Sequence, residues 1–340
     1  MTDTAPPAEP RRPAADPRRR RLLPRILIAV AAVLVVAIAA VTVYGVTINR
    51  QITSNINRGV ELPGDTPSGS ESARPPAQET GVLNYVLLGS DSRNTSDPAD
   101  GRSDTIMVVH LTKKRDKAYI VSFPRDMYVS IPGHGKDKIN AAYSVGGPAL
   151  TVRTLEDLTG TRMNHVALID FEGFISLTND LGGVTVTNKT AFSSHGFDYP
   201  KGKITIKGEE ALWFVRERHA LPGGDLDRAA NQRNVTKAIV AKGLSASVVS
   251  DPATFTAFIG NLSKHLTVDN SLSDAEIRST ALSLRLTGKD IDLLQAPIAG
   301  FGTENGQSID IVDTAKMAEL AQALQDDKMG AYLKKYPPGD

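Results

Sequence analysis

Arginine and aspartate recur in five clusters at the ends of apolar runs along this chain. Gly89-Ser90-Asp91-Ser92-Arg93 closes the run that begins at Val82, and Arg102-Ser103-Asp104-Thr105 opens the next. Ser122-Phe123-Pro124-Arg125-Asp126 closes a third run. Val215-Arg216-Glu217-Arg218 ends a short helical pattern, and Asp225-Leu226-Asp227-Arg228 begins a longer one with Gln232 one turn on. In open α/β sheets ligands sit in loops beyond strand ends, where charged side chains tend to be functional. Guanidinium forks hold phosphate oxygens bidentately. Carboxylates hold a hard cation such as Mg²⁺, which takes its other ligands from phosphates and water. The set therefore suits a diphosphate with a divalent cation. The same residues could also satisfy one another as internal ion pairs, Arg228 with Asp225 for example.

Other chemistries find little support. The chain has no cysteine, which excludes disulfides, thiolate metal sites and a cysteine nucleophile. Its six histidines are scattered without metal-ligand spacing. Gly133-His134-Gly135-Lys136 lacks both the earlier glycine and the following Ser/Thr of a phosphate loop. No G-x-S-x-G elbow occurs.

The elements that must position these clusters follow from hydrophobic periodicity. Strands are expected at 82–89, 104–111 and 118–123, all β-branched and bounded by Gly, Asp or Pro. Helices are expected at 138–145 and 147–159, the second closed by Gly160. A strand at 164–170 leads into a helix at 171–181, and strands follow at 183–187 and 203–207. Helices over Glu209–Arg218 and Leu226–Leu244 come next. Asp251-Pro252 and the capping box Ser273-Asp274-Ala275-Glu276 start two more helices. A strand at 291–298 precedes a helix at 313–326. Alternating strands and helices imply an α/β layered fold around one main sheet.

Charge and hydropathy divide the 340 residues unevenly. The first 25 hold seven Arg and three acids, leaving a net of −3 for the rest. A near-neutral body argues against nucleic acid as a partner. Residues 1–25 read as a disordered basic tail. The uncharged 26–48 stretch is long enough to cross a bilayer, and the arginines before it place the N-terminus in the cytoplasm. A cleaved signal peptide ending at Ala37-Ile38-Ala39 is the alternative, but cleavage there would leave an apolar tail. Residues 49–81, rich in Gly, Pro and Ser, read as a flexible linker. Residues 82–340 read as one extracytoplasmic domain whose motifs lie in 82–241, with 242–340 completing its layers.

Taken in order, GSDSR (89–93), GRSDTIMVV (101–109), SFPRDMYVSIPG (122–133), KINAAYSVGG (138–147), DFEGF (170–174), LGGVTV (181–186), KGEEALWFVRER (207–218) and DLDRAANQR (225–233) resemble the LytR–CpsA–Psr family. The resemblance implies an αβα layered sandwich around a central mixed β-sheet, preceded by one transmembrane helix. It implies a membrane-anchored phosphotransferase that moves a glycopolymer from a polyprenyl-diphosphate carrier to peptidoglycan. By position, Asp91 and Asp104 match acids near Mg²⁺ (or Mn²⁺), and Arg125, Arg216, Arg218 and Arg228 match diphosphate-binding arginines. Asp225 matches an acid of the site, Gln232 a polar position beside it, and Arg93 and Arg102 are further contacts. Arg125, Arg218, Asp225 and Arg228 are thus the expected catalytic set. Where many members carry Arg, this chain has Asn231, with Arg233 or Lys237 as possible replacements. The runs 168–177 and 141–145 could line a tunnel for the lipid or form ordinary core. A hydrolase of polyprenyl diphosphates and a non-enzymatic lipid-diphosphate-binding protein remain as other readings.

Overall fold

The computed structural model describes residues 45–47, 50–51, 53–64, 73–77, 81–90 and 103–338. The chain divides into two compact units at Ile48/Asn49. Of the first unit only a helical stretch at 45–47 is described. No helix among the described residues is long and apolar enough to cross a membrane, and nearly all of the 26–48 span lies outside them.

The second unit is built on a seven-stranded sheet. In chain order its strands are β1 (Asn57–Val60), β2 (Leu83–Ser90), β3 (Ser103–Leu111), β4 (Ala118–Ser122), β5 (His165–Ile169), β6 (Leu266–Asp269) and β7 (Ile291–Gln295). Their order in space is β1-β6-β5-β2-β3-β4-β7. The pairs β1/β6, β2/β5 and β4/β7 are parallel, while β5/β6, β2/β3 and β3/β4 are antiparallel. The sheet is therefore mixed, as expected.

Side-chain alternation explains why both faces of this sheet are covered. Val86, Leu88, Ile106, Val108 and Val121 point to one core. Leu83, Leu87, Met107, Val109 and Ile120 point to the other side. Against the first face pack α1 (Ile139–Thr159), through Ala142, Tyr143 and Leu155, and, further along the chain, the helix Thr314–Gln325. Within α1 the backbone leaves helical geometry at Gly146 and Gly147, and Gly147 at φ 61° takes a conformation other side chains resist. Pro148 then restarts the helix, so α1 consists of two helical segments that meet at Gly146 and Gly147, as the two helices expected at 138–145 and 147–159 require.

The opposite side carries α2 (Phe171–Asp180), α3 (Gly208–Arg216), α4 (Asp225–Gly243) and α5 (Pro252–His265). Leu177, Phe214, Val235 and Phe258 from these helices form a separate apolar cluster. Helices thus cover both faces. The caps anticipated from the sequence are present: Asp251 accepts from Ala253 N, and Ser273 with Glu276 forms a capping box on α6 (Asp274–Ser283). The helix on the first face is α7 (Thr314–Gln325), and α8 (Met329–Lys335) follows it.

Several segments differ from expectation, among them the unexpected strand Leu266–Asp269 and the hairpin Tyr128–Ile131 with Gly135–Lys138. Part of the 49–81 stretch is built into the fold: Asn57–Val60 extends the sheet edge, and buried Arg74 holds Glu156 at 2.8 and 2.7 Å. Neither segment shows alternation, so the physical signal is the pairing partner rather than local pattern. Residues 291–298 split into β7 and a hairpin, Ile298–Glu304 with Gln307–Val312.

Candidate functional site

Arg125 stands just past β4, held by the turn in which Met127 N donates to Pro124 O. Its Nη1 donates to Asp104 Oδ1 at 2.7 Å, from the neighbouring strand β3. Its Nε lies 3.1 Å from Asp225 Oδ1, at the N-terminus of α4. One turn along α4, Arg228 Nη2 lies 2.6 Å from the same oxygen, and Arg228 Nη1 reaches to 3.8 Å from Asp104 Oδ2. Two arginines and two aspartates, brought from three separate segments of the chain, therefore alternate around a closed ring.

The internal ion pairing left open by the sequence is thus real, but it is imperfect. Arg125 Nε, Arg228 Nε and Nη2 and Asp225 Oδ1 are buried and make no hydrogen bond of proper direction, although the charges lie within ion-pair distance. Buried N–H groups without directed acceptors are costly. An anion arriving with several oxygens would satisfy them.

Burial is the main force on the charges of this ring. It pushes the Asp225 carboxyl above its ordinary range, against the pull of Arg228 and Arg125. It lowers Arg228, with Asp225 opposing. At Arg125 burial also acts against the charge but is outweighed by the Asp104 hydrogen bond and by Asp225, Asp104 and Asp126, so this guanidinium is raised. Asp126 bonds Lys138 Nζ at 3.0 Å and extends the cluster.

Asp104, Arg125 and Arg228 of the ring line the mouth of a cavity of about 1210 Å³. It lies between the second face of the sheet, which supplies Leu87 and Met107, and the helical layer, which supplies Phe174, Leu177, Leu212 and Phe258. Typical small-ligand pockets are about 300–1,000 Å³, so this one suits a long apolar ligand. One face of α4 runs along it: Arg228, Gln232, Thr236, Val240 and Gly243 all line the wall. These positions are near-multiples of a turn apart, so one helix face grades from cationic to apolar over about 22 Å.

The remaining expected residues divide as follows. Arg216 and Arg218 line the mouth, and no carboxylate of a described residue forms an ion pair with either. Arg216 is held between the Phe171 and Trp213 rings, 4.6 and 4.9 Å from their centroids, and His195 stacks on Trp213. Gln232 lines the cavity while its amide donates to Val215 O at 3.3 Å, tying α4 to the end of α3. Asp91, Arg93 and Arg102 lie outside the described residues. Neither suggested replacement for the missing arginine reaches the mouth: Arg233 donates to Ser122 Oγ, and Lys237 Nζ donates to Ile291 O at 2.5 Å. Burial lowers Arg233 to about 10. Of the two runs read as possible tunnel, 168–177 supplies Ile169, Phe171, Phe174 and Leu177. The 141–145 run does not line the cavity: Ala142 and Tyr143 are fully buried in the core on the opposite face, while Val145 is exposed.

Sequence reasoning passed over Asp310, Trp213 and the apolar residues after 242. Asp310, on the 307–312 strand, is bridged through its backbone to Asp126 and Met127. Burial, then Asp126 and Asp225, raises its carboxyl to about 6, with Lys138 opposing. Trp213 is the one tryptophan of the chain, which was a signal available from composition.

With this geometry established, the chain can be placed among known proteins. The LytR_cpsA_psr family model matches residues 44–326, and the chain belongs to that family. It is 34% identical over 245 residues to an Enterococcus faecalis protein named polyisoprenyl-teichoic acid–peptidoglycan teichoic acid transferase TagU, covering 72% of this chain and 79% of that one. Among solved structures, B. subtilis TagV superposes with a TM-score of 0.62 at 27% identity, covering 74% of this chain and 98% of that one. A structure described as TagT bound to LI-WTA superposes with a TM-score of 0.59 at 29% identity, covering 79% and 99%.

Proposed function

We propose that this chain is a membrane-anchored phosphotransferase that moves a glycopolymer from a polyprenyl-diphosphate carrier to peptidoglycan outside the cytoplasm. One observation carries the reading: a ring of Arg125, Asp225, Arg228 and Asp104, which holds buried N–H groups without directed acceptors, opens onto a cavity whose walls are largely apolar. A diphosphate satisfies the first and a prenyl chain the second. The relatives' names, teichoic acid transferases acting between a polyisoprenyl carrier and peptidoglycan, fit the same division of labour.

In this mechanism Arg125 and Arg228 hold the diphosphate oxygens, and Arg216 and Arg218 add positive charge at the mouth. The acceptor hydroxyl oxygen attacks the phosphorus next to the sugar. The bond from that phosphorus to the bridging oxygen breaks, and the electron pair leaves with the prenyl phosphate, stabilised by the arginines. Asp225, as its carboxylate, takes the hydroxyl proton, and burial raises its affinity for that proton.

Mg²⁺ fits the donor set in a limited way. Among the described residues no three acids or histidines are grouped as ligands. Asp104 does present a carboxylate at the mouth, 45% exposed, and Mg²⁺ is often held by one or two carboxylates plus phosphate oxygens and water. Asp104, with Asp91 as read from the sequence, would hold it. The chemistry a bound ion supplies is neutralisation of charge on the diphosphate.

The test is to supply the purified full chain with a radiolabelled polyprenyl-diphosphate glycopolymer and peptidoglycan. Label appearing on peptidoglycan, and lost in Arg125→Ala and Arg228→Ala, supports the reading. Release of free phosphate without labelled peptidoglycan would establish a hydrolase, and binding without turnover a non-enzymatic protein.

A further inference from the structure

The cavity has a second end. Past Thr236 its wall is purely apolar, and three of its lining side chains stand out in water: Leu282 at 88%, Val249 at 50% and Val240 at 37% exposure. Leu282 sits at the end of α6, a helix with no buried residue. An apolar rim continuous with an apolar cavity is not explained by core packing, since these side chains touch water and not a core.

A second observation concerns the segment that follows the 26–48 span. Ser263 Oγ of α5 donates to Gln51 O at 3.3 Å, and a Cβ on Gly260 of the same helix would stand 2.8 Å from Gln51 Oε1. Thr53 Oγ1 donates to Asp274 Oδ2 at 2.6 Å, at the first residue of α6, where Arg58 also pairs. This segment is thus bonded to the two helices that form the apolar end of the cavity. α5 lines it through Phe255, Phe258, Ile259 and Leu262, and α6 through Ala281 and Leu282. In the sequence, Gln51 follows the uncharged 26–48 stretch by only three residues. Leu282 is eight residues from Asp274, about 12 Å along α6.

We propose that the rim formed by Val240, Val249 and Leu282 rests on the outer surface of the lipid bilayer, so that the apolar end of the cavity opens into the membrane. The prenyl chain then passes from bilayer to cavity without crossing water, while the charged mouth remains at the other end of α4. This rests on the membrane-anchored reading given above. The occupant is bilayer because the segment that directly follows the 26–48 stretch in sequence is bonded, through Gln51 and Thr53, to these same helices.

The absence of native cysteine permits a direct test on the full chain. Leu282→Cys, Val249→Cys and, as a control on the far hairpin, Glu304→Cys each carry a nitroxide label in phosphatidylglycerol nanodiscs. Power saturation compares collisions with oxygen, which concentrates in lipid, and with a water-soluble nickel chelate. The proposal expects oxygen to exceed nickel several-fold at 282 and 249, and the reverse at 304. Nickel access at 282 and 249 equal to that at 304 overturns it. Dipolar broadening between labels at 282 also overturns it, because the rim would then meet a second copy. Wild-type nanodiscs are assayed for transfer in parallel. Transfer with a water-exposed rim defeats this inference alone, whereas a lipid-bound rim without transfer supports the contact and removes the enzymatic reading.

Discussion

Replacing Asp225 with Asn separates binding from turnover. Asp225 Oδ1 lies 3.1 Å from Arg125 Nε and 2.6 Å from Arg228 Nη2, so it is the internal counter-ion that an arriving diphosphate must displace or share. At an effective dielectric of about 20, each of these pairs is worth roughly 5–6 kcal/mol gross. Desolvation and loss of the pairing offset most of that, leaving a net on the order of 1–2 kcal/mol. Asp225→Asn removes the competing charge while keeping the shape. Diphosphate affinity is expected to rise about tenfold. Transfer should nonetheless fall by 10²-fold or more, because Asn cannot accept the hydroxyl proton. Calorimetric titration of the full chain with farnesyl diphosphate measures the first, and labelled-polymer transfer at saturating donor the second. Tenfold weaker binding together with unchanged transfer would refute both the counter-ion and the proton-accepting roles.

Three other perturbations follow from the same geometry. Arg74→Ala leaves Glu156 buried without its bidentate partner and should cost about 3–5 kcal/mol in denaturant unfolding, where a loss below about 1 would show the pair to be dispensable. Asp310, raised from 3.8 to about 6, contributes stability that is present below about pH 4 and lost as pH rises through about 6. Asp310→Asn should therefore stabilise the protein by on the order of 2–3 kcal/mol at pH 7.5, with the gain shrinking toward zero near pH 4; a gain independent of pH contradicts this. Thr236→Trp, halfway along the cavity wall, should weaken farnesyl diphosphate binding at least tenfold while leaving inorganic pyrophosphate binding within twofold, and equal losses for the two probes would place the tail elsewhere.

How far the sequence revealed this depends on the kind of signal. β2, β3 and β4 were legible because apolar residues fill both faces, and the helices because their caps and glycines are local. β1 and β6, NRGV and LTVD, are four residues each and owe their existence to distant partners: each other, more than two hundred residues apart, and for β6 also β5, about a hundred residues before it. At the site, Arg125, Asp225 and Arg228 carried a readable pattern of charge beside turns. What the pattern could not show was that Arg125 and Arg228 share one oxygen of Asp225, nor that Arg233 turns to Ser122 instead of the mouth. Asp310 had no motif at all; only hairpin pairing brings it to Asp126.

A structure of the chain with farnesyl diphosphate tests the central claim most directly. The account predicts phosphate oxygens on Arg125 and Arg228, Asp225 turned from at least one of them, and the isoprenoid between Met107 and Phe174. A diphosphate bound away from both arginines, or a tail lying outside the cavity, would contradict it.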